Sequence, residues 1–167
     1  HHPSFLRTLE KRFVERFARW GLRPEALTPV YGLAEATLAV TFSAVSRRFR
    51  VREFDARALM EGGHAVLVGS GQPVVSLGPP LPGFEVAIVG DDGRALAAGA
   101  VGCVRVRGPS IMSGYDGMPE ATRAVFVDGW LDTGDTGFLF AGGLQLVGRA
   151  KALIIVRGRN HAPPDVE

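Results

Sequence analysis

The sequence is poor in cysteine and contains no long apolar run. Cys103 is the only cysteine, which excludes an internal disulfide and fits a reducing compartment, so we expect a cytoplasmic protein. Cys103 lies between Gly102 and Val104 in an apparent strand, which favours a core thiol over a nucleophile. No apolar run approaches the roughly 18 residues of a membrane-spanning helix. We therefore expect no membrane span, and we expect no secretion signal.

The chain also has little excess of charge of either sign. The formal net charge is +2, and Arg47-Arg48 is typical of the short basic runs, so we expect no nucleic-acid partner. Lysine occurs only as Lys11 and Lys151, and nearly all of the 19 basic residues are arginine. A hydrophobic fraction of 46% and a charged fraction of 22% are typical of an ordinary globular protein of 167 residues with a real core.

The first half of the chain reads as α/β. An apolar stripe with helical spacing predicts a helix that Ser4 caps and Gly21 ends. The stripe consists of Leu6, Leu9, Phe13, Phe17 and Trp20. The segment Thr28 to Tyr31 is extended, Gly32 makes a turn, and Ala34 to Val40 is largely apolar. This strand–turn–helix start is the usual place for a ligand in an open α/β sheet.

From Leu77 onward the pattern favours many short strands. Strands are expected at 85–89, at 101–107 and at 151–156, with a turn at Asp92-Gly93 and a hairpin over 138–146. A short helix is expected at 55–61 and a loop at 158–164. The predicted fold class is α/β: part of an open α/β sheet subdomain, then a small β-barrel-like subdomain, then a hinge stub.

Two groups of residues suit a nucleotide. In Tyr31-Gly-Leu-Ala-Glu35, the tyrosine face can stack on a purine, Gly32 lets the backbone approach a ligand, and Glu35 is a hard oxygen ligand for magnesium. In Thr133-Gly-Asp135, the carboxylate can accept hydrogen bonds from both ribose hydroxyls, and the fork of Arg149 suits a ribose or phosphate oxygen. Taken singly, these residues also fit a buried tyrosine, a solvated glutamate, a β-turn and a surface ion pair.

The order of these groups resembles a known superfamily. After Tyr-Gly-x-x-Glu come Gly114-Tyr115 with Pro119, Thr122 and Phe126, then Thr-Gly-Asp and Gly148-Arg-x-Lys151. This combination resembles the adenylate-forming superfamily of acyl-CoA synthetases, peptide-synthetase adenylation domains and luciferases. The segments 31–38 and 153–167 are similar to its fatty-acyl-AMP ligase branch. The resemblance implies the C-terminal part of an α/β adenylation subdomain over 1–76 with an insertion at about 44–72, a β-barrel-like subdomain over 77–147, and a hinge with the start of a truncated C-terminal domain over 148–167.

The resemblance also implies roles for individual residues. Tyr31 would stack on the adenine of ATP, and Gly32 and Leu33 would line the nucleotide or acyl pocket. Ala34 would belong to the same ATP-binding segment, and Glu35 would hold Mg²⁺. Asp135 would bind the ribose hydroxyls, Arg149 the ribose or phosphate, and Lys151 would mark the hinge. Glu35 and Arg149 would be the residues that take part in catalysis.

The implied reaction has two steps. A fatty acid is activated with ATP to an acyl-adenylate, and the acyl group then passes to the thiol of an acyl carrier protein or polyketide synthase. An insertion near 44–72 is associated in this branch with poor use of coenzyme A. An acyl-CoA synthetase or another adenylation domain is the alternative within the superfamily. A non-catalytic interaction module from a degenerate or split ligase is the alternative outside it.

Some positions depart from the superfamily pattern. Ala152, Cys103 and Ala162 stand where aspartate, glutamate and tyrosine are usual. A glycine-rich phosphate loop with its lysine has no match here, and neither Lys11 nor Lys151 is placed as the catalytic lysine. We therefore expect this chain to correspond to the downstream third of a large domain plus a hinge stub, to be inactive by itself, and to self-associate or bind a missing-domain partner through exposed apolar surface.

Overall fold

The computed structural model describes residues 12–61 and 63–149, and the backbone of 154–156 and 159–161. The helices are α1 (12–17), α2 (Ala56–Met60) and α3 (Pro119–Val125), with 3₁₀ turns at Ala18–Trp20, Pro24–Ala26 and Ala34–Ala36. The strands are β1 (Val30–Tyr31), β2 (Thr41–Phe42), β3 (Val51–Phe54), β4 (Gln72–Val75), β5 (Glu85–Val89), β6 (Gly102–Arg107), β7 (Phe126–Val127), β8 (Trp130–Phe140), β9 (Gly143–Arg149), β10 (Ile154–Val156) and β11 (Arg159–His161).

A five-stranded antiparallel sheet organises the second half of the chain. Its long central strand is β8, which has 11 residues. One edge of β8 pairs with β6, which in turn pairs with β5. The other edge pairs with β7 at its start and with β9 over the rest of its length. The strands expected at 85–89 and 101–107 are thereby confirmed as β5 and β6.

The alternation along β6 decides which face of this sheet is buried. Val104 and Val106 are fully buried, whereas Arg105 and Arg107 point to the opposite face, because successive side chains of a strand alternate. Cys103 is half-buried on that opposite face. Burial, followed by the negative charges of Asp132 and Asp91, raises the pKa of its thiol. A raised pKa disfavours the thiolate, so Cys103 has no character of an activated nucleophile.

The hairpin expected over 138–146 is confirmed as β8–β9. Phe140 pairs with Gly143, so the loop consists of Ala141 and Gly142. Both loop residues have positive φ angles, 50° and 79°. A two-residue loop with two positive φ angles is the turn whose twist matches that of the flanking strands.

The N-terminal helix is shorter in the described region than the stripe predicts. Helix α1 covers 12–17 and continues as a 3₁₀ turn that Gly21 ends in the left-handed conformation, as expected. Phe13, Phe17 and Trp20 form a chain of ring contacts but stay exposed. Ser4, Leu6 and Leu9 lie outside the described residues.

The strand–turn–helix expected after Thr28 is only partly correct. Strand β1 is present, but Ala34–Ala36 forms a single 3₁₀ turn, and the chain returns as β2, which pairs antiparallel with β1. Thr37 has a positive φ angle of 71°, which ends the turn. A Cβ atom on Gly32 would collide with the backbone of Leu38, so the required close approach is between two parts of the same turn.

The segment expected as an insertion is ordered around one hairpin and one helix. Strands β3 and β4 pair antiparallel, and between them α2 begins at Asp55, whose carboxylate accepts the N–H of Ala58. The helix expected at 55–61 is thereby confirmed. Phe54 is fully buried and packs edge-on against Phe138 of the five-stranded sheet, with ring centroids 5.1 Å apart.

A common core joins the two halves of the chain. Tyr31, Ala36 and Val40 from the first half pack with Ile88 and Val104 of the sheet. The α/β fold class is confirmed, because the described chain combines short helices and strand pairs with a curled antiparallel sheet. The boundaries at 76/77 and 147/148 remain predictions.

The last described strands correct one expectation. Strand β10 occupies the end of the strand expected at 151–156. Residues 159–161 were expected in a loop, but they form β11, which pairs with β10 in an antiparallel hairpin. Lys151, Ala152 and Ala162 lie outside the described residues.

Among the helices of the described chain, none has the length and apolar character needed to cross a membrane.

Candidate active site

A bulge in β8 presents the predicted ribose-binding carboxylate. Cys103 pairs with Thr136 and Arg105 pairs with Asp132, so Val104 alone faces the three residues Thr133 to Asp135. Gly134 takes a φ angle of 70°, which a glycine adopts readily. Thr133 Oγ1 donates to the carbonyl of Val104 at 2.8 Å and accepts the N–H of Asp135 at 3.2 Å. Thr-Gly-Asp is therefore a bulge inside a strand rather than a β-turn between strands, and bulges re-aim side chains.

Two side chains hold the carboxylate of Asp135. The hydroxyl of Tyr31 donates to Oδ2 at 2.7 Å, although the two residues are 104 positions apart. Nε of Arg149 donates to Oδ1 at 3.0 Å from the paired strand β9. The structure therefore brings together three residues that the sequence predicted as one nucleotide site. We call Tyr31, Asp135 and Arg149 the carboxylate clamp.

Tyr31 is the buried member of the clamp. Its side chain is 5% exposed and its ring belongs to the hydrophobic core, so it has little free surface on which a purine could stack. Burial is the largest cause that raises the pKa of Tyr31, and the hydrogen bond to Asp135 raises it further, while Thr133 acts in the opposite direction. The phenol therefore stays neutral and keeps donating its proton to Asp135. Adenine stacking by Tyr31 remains a prediction.

Arg149 is the accessible member. Its side chain is 73% exposed, against 14% for Asp135. The hydrogen bond and the negative charge of Asp135 raise the pKa of the guanidinium, and the charge of Glu35 contributes in the same direction. An exposed pair of this kind contributes little to stability. Its orientation towards solvent suits ligand contact better than structural support.

Glu35 is held next to this site by a second tyrosine. The hydroxyl of Tyr115 donates to Oε1 of Glu35 at 2.8 Å. The backbone carbonyl of Glu35 accepts the N–H of Met112 at 2.7 Å. Within the described residues, no group of three or more histidine, cysteine, aspartate or glutamate side chains could hold a metal ion. A cation at Glu35 would therefore take most of its ligands from the nucleotide phosphates and water, as magnesium commonly does.

The remaining predicted residues lie on the turn between Tyr31 and Glu35. Gly32 and Ala34 are exposed, and Leu33 is half-buried against the common core. They are therefore adjacent to the clamp, and two of the three have surface free for a ligand. Lys151 lies outside the described residues.

Sequence reasoning gave no role to two residues that shape the site. Thr133 fixes the bulge, and Tyr115 contacts Glu35 across 80 positions. The signal for Tyr115 was present as part of the Gly114-Tyr115 motif, but its partner follows only from the fold.

Comparison with known proteins supports the interpretation of these motifs. A model of the AMP-binding enzyme family matches residues 6–116. The long-chain-fatty-acid–AMP ligase FadD23 of Mycobacterium tuberculosis is 36% identical over 181 residues, covering 99% of this chain and 30% of that protein. A protein of Caulobacter vibrioides, provisionally named an acyl-CoA synthetase, is 41% identical over 162 residues, covering 94% of this chain and 28% of that protein. The chain thus spans less than a third of the length of these relatives.

Solved structures agree with the sequence relatives. A structure from a study of fatty acyl-adenylate ligases of E. coli and L. pneumophila superposes with a TM-score of 0.83 at 38% identity, covering 94% of this chain and 29% of that one. The L. pneumophila fatty acyl-adenylate ligase in complex with acyl adenylate and pyrophosphate gives a TM-score of 0.79 at 34% identity, covering 95% and 29%. Because the family model matches more than half of the 167 residues, this chain belongs to the AMP-binding enzyme family, which confirms its resemblance to adenylate-forming ligases.

Proposed function

We propose that this chain forms one wall of the nucleotide site of a fatty-acyl-AMP ligase, which activates a fatty acid with ATP. The observation that carries the proposal is the carboxylate clamp, in which Asp135 is held at 2.7 Å by Tyr31 and at 3.0 Å by Arg149. Relatives named long-chain-fatty-acid–AMP ligases, at 36% and 34% identity, support the same function.

In this proposal Asp135 binds the ribose of ATP. Each carboxylate oxygen can accept more than one hydrogen bond, so Oδ1 and Oδ2 each keep capacity for a ribose hydroxyl after binding Arg149 and Tyr31. The neutral Tyr31 hydroxyl and the cationic Arg149 fix the carboxylate in one orientation before the ligand arrives. A preorganised carboxylate loses less side-chain freedom on binding than a mobile one.

Arg149 and Glu35 act on the phosphates. The exposed guanidinium of Arg149 carries further N–H donors that suit a ribose or α-phosphate oxygen. Mg²⁺ bound to the phosphates would neutralise charge that develops during transfer, and the carboxylate of Glu35 would serve as a protein ligand of the kind that Mg²⁺ takes together with phosphates and water. Gly32, Leu33 and Ala34 border the nucleotide on the turn between these groups.

The first step is an attack at the α-phosphorus of ATP. An oxygen of the fatty carboxylate forms a new bond to this phosphorus, the bond to the bridging oxygen of the β-phosphate breaks, and pyrophosphate leaves with the electron pair. Such transfers depend on positioning and on neutralisation of charge rather than on covalent help from the protein. In this wall of the site, the carboxylate clamp positions the ribose and the α-phosphate of ATP for the attack.

We propose the thiol of an acyl carrier protein or polyketide synthase as the acceptor of the acyl group, and the cytoplasm as the compartment. The AMP-ligase names of several relatives support this acceptor, and the lone thiol Cys103 is consistent with the compartment. Coenzyme A is the competing acceptor, because the provisional name of the C. vibrioides relative is acyl-CoA synthetase. Calorimetric titration with coenzyme A is expected to give no heat, and saturable binding would favour the competing acceptor.

Calorimetry with a non-hydrolysable acyl-adenylate analogue tests the proposal. The wild-type chain is expected to bind the analogue at millimolar concentration or better, and a chain with Arg149→Ala more weakly. Arg123→Ala is a matched control, because Arg123 is an exposed arginine on α3. Absence of binding to the wild-type chain would instead favour a non-catalytic interaction module.

A further inference from the structure

The motif Gly114-Tyr115 with Thr122 has no assignment in the function proposed above. Its tyrosine hydroxyl lies 2.8 Å from Oε1 of Glu35 and donates to it. Both Tyr115 and Glu35 are half-buried, so the contact is partly protected from competing water.

Helix α3 fixes the position of Tyr115. Thr122 Oγ1 accepts the backbone N–H of Tyr115 at 2.9 Å and donates to the carbonyl of Met118 at 3.0 Å. A Cβ atom on Gly114 would lie 2.7 Å from Cγ2 of Thr122, so only glycine permits this approach. Gly114, Tyr115 and Thr122 therefore form one local unit that fixes the position of the Tyr115 side chain.

The loop over 110–115, which contains Tyr115, also holds the backbone around Glu35. Met112 donates its N–H to the carbonyl of Glu35 at 2.7 Å. Ser110 Oγ donates to the carbonyl of Ala36 at 3.1 Å, and Thr37 Oγ1 donates to the carbonyl of Ser110 at 3.3 Å. Backbone and side chain of Glu35 are thus fixed by a segment that is about 80 positions away in sequence.

We infer that Tyr115 is a positioning residue, whose hydrogen bond to Oε1 orients the carboxylate of Glu35 that would hold the magnesium ion of bound ATP. The inference rests on the proposed function, in which Glu35 is the magnesium ligand. Carboxylates that bind metals are commonly oriented by a hydrogen bond from a neighbouring group, and loss of such a partner typically weakens metal affinity by about 10- to 100-fold.

The test compares nucleotide binding with and without magnesium. In the full chain, Tyr115→Phe removes the hydroxyl and keeps the ring. We expect this variant to bind ATP in the presence of Mg²⁺ about tenfold more weakly than the wild type does. Binding of AMP in the presence of EDTA is expected to be unchanged, because it depends on Asp135 and Arg149. Ser113→Ala is the matched control, since it removes an exposed hydroxyl from the same loop.

Two variants of Thr122 provide a second test. Thr122→Val loses the acceptor for the N–H of Tyr115, whereas Thr122→Ser keeps it. We expect the valine variant to show the loss of magnesium-dependent affinity and the serine variant to bind like the wild type. A structural role of Thr122 would instead lower AMP and magnesium–ATP binding together.

The outcomes separate the inference from the function on which it rests. Unchanged magnesium–ATP affinity in Tyr115→Phe, or an equal loss of AMP affinity, overturns the positioning role and leaves the proposed function standing. A wild-type chain that binds AMP but gains no ATP affinity from magnesium removes Glu35 as a metal ligand, and the inference with it. A wild-type chain that binds no nucleotide overturns the proposed function itself.

Discussion

The carboxylate of Asp135 is oriented by two donors of different character. Tyr31 is buried and neutral, so its hydrogen bond is protected from water and independent of salt. Arg149 is exposed and charged, so its contact weakens as ionic strength rises. The buried donor therefore determines where the carboxylate points, and the exposed donor is available to a ligand.

Loss of the Asp135 charge tests the clamp. We expect Asp135→Asn to weaken AMP binding by about 2 kcal/mol, or roughly thirtyfold, because hydrogen bonds from ribose hydroxyls to a carboxylate are stronger than those to an amide. Asp128→Asn is the control: Asp128 is exposed and has a φ angle of 50°, a conformation that asparagine tolerates. Equal affinities of the two variants, measured by calorimetry, would exclude Asp135 from the binding site.

The raised pKa of Tyr31 predicts a loss of stability at alkaline pH. In the unfolded chain Tyr31 ionises near its usual pKa of 10.0, whereas in the folded chain it stays protonated at higher pH. The stabilisation is therefore complete below pH 10 and is lost as pH rises through the folded value. The free energy of unfolding is expected to fall by about 1.4 kcal/mol per pH unit in this range from Tyr31 alone.

Urea unfolding of the wild type and of Tyr31→Phe between pH 8 and pH 12 measures this effect. The phenylalanine variant is expected to show a shallower alkaline decline, because it lacks the ionising group. Tyr115→Phe serves as the comparison. The pKa of Tyr115 is also raised, and this variant still contains the Tyr31 hydroxyl. Identical alkaline slopes for the wild type and Tyr31→Phe would contradict the buried hydrogen bond.

Among the elements, β8 determines the shape of the site. Its first residues pair with β7, its centre bulges at Thr133 to Asp135, and its end enters the hairpin with β9. The hairpin and a register shift between Thr136 and Gly137 in its pairing with β9 place Arg149 directly opposite Asp135. A regular β8 would direct alternate side chains to alternate faces, and Asp135 would not take its present orientation.

The hairpin turn offers a stabilising change. Ala141 has a φ angle of 50°, which is unfavourable for alanine and acceptable for asparagine. We expect Ala141→Asn to raise the free energy of unfolding by about 0.5 kcal/mol and Ala141→Val to lower it. Thermal unfolding followed by circular dichroism distinguishes them. A less stable asparagine variant would show that the turn has a different conformation.

For the whole molecule, the common core is the main feature. Val40 from the first half and Val104 from the sheet belong to one buried cluster. Phe54 and Phe138 make a second connection through a T-shaped ring pair. The predicted boundary at 76/77 therefore lies within a continuous packed interior.

A core substitution in the first half tests this continuity. Val40→Ala is expected to lower the free energy of unfolding by about 2 kcal/mol, because it leaves a cavity at a fully buried site. In a Trp20→Phe background Trp130 of β8 is the remaining tryptophan, so its fluorescence reports on the sheet. The fluorescence midpoint is expected to shift to lower urea by the same amount as the circular dichroism midpoint. An unshifted fluorescence midpoint would mean that the halves unfold separately.

Local patterns in the sequence determined the strands and the hairpin of the second half. The alternation around Val104 and Val106, and the glycine turn after Phe140, predict β6 and the β8–β9 hairpin directly, because both depend on neighbours along the chain. The prediction of a helix after Gly32 was wrong because the structure there depends on pairing between two separate segments. Its apolar residues suit a helix, but pairing of β1 with β2 shortens it to one turn.

The sequence by itself also predicted which residues form the candidate site, since the order of Tyr31, Glu35, Asp135 and Arg149 carries the family resemblance. Only the tertiary structure decided their contacts. Tyr31 meets Asp135 across 104 positions, and Tyr115 meets Glu35 across 80. A sequence pattern records the spacing along the chain, whereas a hydrogen bond depends on distance in space. The common core and the bulge of β8 fix that distance for Tyr31 and Asp135, and helix α3 helps to fix it for Tyr115 and Glu35.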